Sequence, residues 1–127
     1  MTTLPDLHDG FFDGVWLSAD KRAHFFVRTV AGERSTIILT DVEALNVSGV
    51  RAGNIILDVV LIAPDKLTVK DIEQAYDLKS GEDKKASQLL RKAQEQELSG
   101  LEINPSYGAE GTVIFRAVAT VREHVLT

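Results

Sequence analysis

Over residues 11–63 side chains change character every second position, and after Pro64 that period gives way to helical spacing. A period of two places alternate residues on opposite faces of a strand, whereas a period near 3.6 places them on one stripe of a helix. Phe11, Asp13, Val15 and Leu17 alternate with Phe12, Gly14, Trp16 and Ser18. Ala23, Phe25 and Val27 alternate with His24, Phe26 and Arg28. Between these runs, Ala19-Asp20-Lys21 reads as a turn, and Ala31-Gly32-Glu33 as a second, whose glycine supplies the positive φ of a tight hairpin. Ser35 to Thr40 is rich in β-branched residues and reads as a third strand, with a weaker one over Val42–Ser48. Gly49 and Gly53 bracket the next turn. Asn54 to Ala63 is nearly all apolar, which predicts a strand covered on both faces, interrupted at Asp58 and ended by Pro64.

Helical signals follow. Thr68 and Asp71 have the spacing of a capping box, with Leu67 and Ile72 placed as a hydrophobic staple. Val69, Ile72 and Ala75-Tyr76 then share one face. Ser80-Gly-Glu-Asp83 is a second start signal, for a helix running to about Leu98 and stopped by Ser99-Gly100. Its apolar stripe of Ala86, Leu89, Leu90 and Ala93 is narrow, as suits a helix on the surface. Strands return as a short Leu101–Ile103 and a long Thr112–Arg122, joined by a loop over Pro105–Gly111. In the long strand Val113, Phe115, Ala117, Ala119 and Val121 are expected on one face.

Strands, then helices, then strands predict an α+β domain spanning 1–127. The expected core is a mainly antiparallel sheet of six or seven strands, a sandwich or open barrel, with two helices at about 68–98 against one face or edge. The chain has 127 residues, 44% of them apolar and 26% charged, which suffices for one buried core. The longest apolar run, Val59–Ala63, is too short to cross a bilayer, so no membrane partner is expected. Without cysteine or a signal-like amino terminus, the expected compartment is the cytoplasm.

Charge excludes a further class. Residues 1–63 hold eight acids and five bases, residues 64–100 eight and seven, and residues 101–127 three and two. No segment is basic enough to neutralise phosphates, so nucleic acid is not an expected partner.

Few residues gather into chemistry. His8, Asp9 and the strand-embedded Asp58 form a possible polar site, as metal ligands or as an acid/base pair, and thus an alternative reading as a small metal-binding domain or hydrolase. Asp58 must either find a partner or protonate. Glu43, Glu102, Glu110 and Glu123 contain potential carboxylate pairs of the kind glycosidases use. Ser18, Ser35 and Ser106 lie in no nucleophile elbow, and no phosphate-loop motif is present, so no catalytic residue and no cofactor are expected. Trp16, Phe12, Phe26 and Tyr107 are the candidate interaction residues, because exposed aromatics anchor interfaces.

The opening Leu7-His8-Asp9-Gly10 with Gly14, then Thr40-Asp41-Val42-Glu43-Ala44-Leu45, Gly53-Asn54-Ile55-Ile56 and Pro105-Ser106-Tyr107-Gly108-Ala109, resemble small bacterial β-rich domains. Some of these are grouped with immunity proteins of polymorphic toxin systems. The resemblance implies neutralisation of a protein partner, such as a toxin, by binding, and carries no catalytic residues. A homodimeric structural protein, paired through a free strand edge, is a further alternative.

Overall fold

The structure, a computed structural model, describes residues 4–79 and 81–122. It has eight strands, β1 Phe11–Ser18, β2 Arg22–Arg28, β3 Arg34–Thr40, β4 Ala44–Ser48, β5 Asn54–Ile62, β6 Ser99–Tyr107, β7 Glu110–Phe115 and β8 Ala117–Arg122. Between β5 and β6 lie α1 Val69–Tyr76 and α2 Asp83–Glu95. The expected α+β class and antiparallel sheet are observed. The sheet is open, in the order β4-β7-β6-β5-β1-β2-β3-β8, and has eight strands where six or seven were expected.

The higher count comes from a bend. Residues 35–48 run antiparallel to residues 110–122, from Ser35 opposite Arg122 to Ser48 opposite Glu110. One extra residue is accommodated where Asp41 turns left-handed, with φ 51°. Strands β3 and β4 were expected as two, whereas the single strand expected over Thr112–Arg122 is divided at Arg116 into β7 and β8. A one-residue slip moves every later side chain to the other face. On β3 and β4 the odd-numbered Ile37, Leu39, Leu45 and Val47 all pack on the core, so the change of face falls on the partner: Val113 and Phe115 face the core, whereas Ala117, Ala119 and Val121 are exposed and Val118 packs inward. The expected common face for this series ends at Arg116.

The sheet curls around its principal core. Phe12, Phe25, Val27, Ile37, Leu39, Ile56, Leu101, Ile103, Val113 and Phe115 come together there from six strands. A second cluster lies on the opposite face of β4 and β7. There Ala44 and Ile114 meet Leu67, Ile72, Ala75, Ala86, Ala93 and Leu98. The helices thus cover the β4–β7 half of the outer surface. Each fully buried isoleucine contributes about 1.5–3 kcal/mol.

The capping box is present: Asp71 N–H donates to Thr68 Oγ1 at 3.2 Å, and Thr68 N–H to Asp71 Oδ2 at 2.9 Å. Leu67 and Ile72, the expected staple, are buried in one cluster. Ser80 lies outside the described residues. Helix α2 has Glu82 at its N-cap without a side-chain capping bond, because that carboxylate accepts from Lys79 N–H instead. Its stop is not Ser99-Gly100. Glu97 takes the left-handed turn at φ 56° and Leu98 N–H closes on Ala93 O, which frees Ser99 and Gly100 to begin β6.

Strand β6 also runs through Pro105, where a loop was expected. Ser106 is the extra residue between the Ile55–Tyr107 and Ile56–Pro105 pairs, and such an irregularity tolerates a residue without N–H. Strand β5 is not covered on both faces. Its ladder with β1 holds Phe11–Ile55 and Phe12–Asn54, and the helices sit over other strands, so Leu57, Val60 and Leu61 remain exposed.

A candidate protein-contact face

The outer surface of β1-β2-β3-β8 has a different composition from the half beneath the helices. Because Phe25, Ile37 and Leu39 point inward, their neighbours on β2 and β3 point out. Two cross-strand rows result. One is Trp16–His24–Ile38–Ala119 and the next is Gly14–Phe26–Thr36–Val121. Trp16 is 56% exposed, Phe26 41% and Val121 53%. The indole of Trp16 lies against the His24 imidazole, and Gly14 leaves the space beside Phe26 open.

Arginines border these rows. At one end Arg22 is paired with Asp20 at 3.3 Å, and at the other Arg28 and Arg34 stand opposite each other on β2 and β3. Arg28 donates to Asp13 through Nε at 2.6 Å and Nη2 at 2.9 Å, while its guanidinium sits 4.6 Å from the centre of the Phe11 ring. Asp13 raises the Arg28 pKa above its ordinary value by accepting these bonds.

Phe12 and Trp16 were expected on one face and are separated. Asp13 is a bulge residue, the extra one between the Phe12–Val27 and Gly14–Phe26 pairs. Phe12 is therefore in the core at 1% exposure, stacked near Phe25 with ring centres 5.8 Å apart, and is no contact residue. Trp16 and Phe26 share the bare face. Tyr107 is exposed, but on β6, with β5 between it and β1.

The polar candidates occupy another region. His8 Nδ1 lies 2.8 Å from Leu57 O, and Nε2 lies 3.5 Å from Asp9 Oδ2. The Leu57 bond first, then the Asp9 charge, lift the His8 pKa above its ordinary value. Asp58 has found a partner: it is exposed and accepts from Asn104 Nδ2 at 2.7 Å. Among the described residues no group of three or more His, Cys, Asp or Glu is placed to hold a metal ion.

Glu102 and Glu110 both line an open polar cleft of about 450 Å³ between α1 and the β4-β7-β6 surface, with Glu73, Asp77 and Lys70 on its α1 side. Glu43 lies elsewhere, 4.0 Å from Lys21, and Glu123 is outside the described residues. The cleft floor is Thr112, whose hydroxyl is 3.4 Å from Gln74 Oε1, and Asn46, which donates to Gln74 O at 2.8 Å.

Asn54 is a functional part of the scaffold that residue patterns did not single out. Buried at 4% exposure, it donates to Phe12 O and Arg51 O and accepts from Arg51 N–H and Ala109 N–H. Its place between two turn glycines, Gly53 and Gly108, shows only in three dimensions.

No family model matches the chain, and no curated protein or solved structure matches it. Among the described residues no helix is long and apolar enough to cross a membrane.

Proposed function

We propose that the protein is a non-catalytic binding module that occupies a protein partner through the bare face of β1-β2-β3-β8. The single observation that carries this reading is the exposure of Trp16, Phe26 and Val121, with the half-buried Ile38 among them, on a sheet face that the helices leave uncovered. Contiguous exposed apolar surface is costly in water and marks contact sites. Aromatic anchors within an arginine rim match the composition of interface cores. Neutralisation of a toxin, as the resemblance to immunity proteins implies, is a partner-occupying role of this kind, and a cysteine-free chain suits the cytoplasm.

Affinity capture from native lysate, run beside light scattering of the purified protein, tests the reading. The native chain should recover a protein partner in stoichiometric amount. A Trp16→Ala, Phe26→Asp double variant, folded by circular dichroism, should lose it. Self-association of the native chain that the double variant abolishes would make a second copy the occupant. A native chain that stays monomeric and recovers nothing, or a double variant that keeps the partner, would overturn the proposal.

A further inference from the structure

The bare face ends in a shallow hollow of about 430 Å³, bordered by Phe26, Arg28, Arg34, Thr36 and the bulged Asp13. Its charges do not balance. Arg28 and Arg34 are directly opposite on neighbouring strands, an arrangement that repels. One carboxylate, Asp13, answers them, and its two oxygens are taken by Nε and Nη2 of Arg28. Arg34 has no ion pair among the described residues. Among the described residues the hollow therefore carries one uncompensated positive charge, beside an aromatic ring, in a chain whose formal net charge is −5.

We propose that this hollow takes a carboxylate side chain of the protein partner, with an adjacent apolar side chain of that partner seated on Phe26. The inference rests on the binding-module reading and names the chemistry of the partner. Three features favour a carboxylate. A guanidinium presents a planar fork that matches two oxygens of an oxyanion, carboxylate among them, and the next two features select the carboxylate. One uncompensated charge is answered by a monoanion. A phosphate dianion would need both arginines, and the Arg28 fork is already engaged by Asp13 and held over Phe11. Arg28 thus acts as a fixed neighbour that raises the local potential, and Arg34 makes the new bond. The partner is expected to present an Asp or Glu beside an apolar residue.

Phenylacetate is a suitable probe, because it joins a carboxylate to a ring. Titrated into isotopically labelled full-length protein, it should give saturable shifts at the Arg34 side chain and at the Phe26 and Thr36 amides. Arg34→Gln should weaken this binding by up to about fivefold, the upper end for exposed ion pairs. Arg34→Lys, which keeps the charge but loses the fork, should fall between the two. Benzylamine, with the ring and the opposite charge, should give no such shifts. Absence of saturable shifts, equal affinity in Arg34→Gln, or equal binding of benzylamine would overturn the inference. Tighter binding of inorganic phosphate than of phenylacetate would also overturn it, in favour of a phosphate site. Failure here with partner capture still dependent on Trp16 and Phe26 removes only the carboxylate. Failure of capture with intact phenylacetate binding removes the protein partner and leaves a hollow that binds carboxylates.

Discussion

The indole of Trp16 lies against the imidazole of His24, with ring centres 4.7 Å apart and planes tilted by 37°. The two residues are opposite each other on β1 and β2, and they stack on the solvent side of the sheet. Two turns of geometry put them there. The Asp13 bulge reverses the facing of β1 after Phe12, and the connection through α1 and α2 lays both helices over β4 and β7 instead. Trp16 is thereby displayed on a strand hydrogen-bonded to its neighbour, so the contact proposed above would order little that is not already ordered.

Substitutions on this face should separate from substitutions in the core. Trp16→Ala is expected to lower stability by less than about 1 kcal/mol, since surface changes away from special features are small. Phe12→Ala, four residues earlier, should cost about 3–5 kcal/mol for the cavity it leaves against Phe25. Urea unfolding of the two variants reads the contrast directly. A large loss in the tryptophan variant would mean that its ring is part of the core.

Asn54 should be among the least replaceable polar residues. Alanine there strands the Arg51 and Ala109 amides and the Phe12 carbonyl that the side chain serves. The expected cost is about 1–3 kcal/mol, the penalty for leaving buried polar groups unpaired. Gly108→Ala should be destabilising as well: its φ is +92°, and an added Cβ would run into the Asn54 side-chain oxygen. Thermal unfolding of each variant and of the pair should show less than additive losses, because the two residues are in contact.

Thr120 offers an improvement. Its hydroxyl is buried and lacks a hydrogen-bond partner among the described residues, on the strand position opposite Ile37. Thr120→Val keeps the shape and removes the unpaired group. A gain of about 1 kcal/mol or more in denaturant unfolding is expected, from the desolvation cost of a buried unsatisfied polar atom.

At the start of α1, Thr68→Ala removes one half of the capping box. The cost should be about 1 kcal/mol, within the range for N-cap replacements. Thr68→Ser should retain most of the stability, as its hydroxyl reaches the same Asp71 amide. Equal melting temperatures for the alanine variant and the native chain would show that helix packing, not the cap, holds this end.

The pH dependence has a defined sign. The Leu57 carbonyl bond and then the Asp9 carboxylate raise the His8 pKa above 6.5. A group raised in the folded state contributes stability that is fully present below the unfolded value and lost as pH rises through the folded one. His8 is fully exposed, so the effect should be small and weakened by salt. In an NMR titration the His8 midpoint should lie above 6.5. Asp9→Asn should move it down without restoring the ordinary value, since the larger influence is the Leu57 bond. A midpoint unmoved by that variant would remove Asp9 as a cause.

Residue patterns alone determined much of this architecture. The alternation of Ala23, Phe25 and Val27, the turns at Lys21 and Gly32, the Thr68–Asp71 box and the apolar stripe of α2 all act over a few residues. Local sterics and hydrogen bonding suffice to specify them. Candidate residues chosen by type were legible to the same degree: Trp16 and Phe26 lie on one exposed face, as strand spacing allows. The remainder depended on one-residue events and on which surfaces the helices chose. The Asp13 bulge separated Phe12 from Trp16, and the bend at Asp41 and Arg116 split the expected strand Thr112–Arg122 into β7 and β8. Residues 65–98 covered β4 and β7 and left the face with Arg34 bare. Such events shift register by a single position, cost little locally, and are decided by packing between elements far apart in sequence. Their physical origin is tertiary, because the free energy that selects one register is the burial it allows on the other side of the sheet.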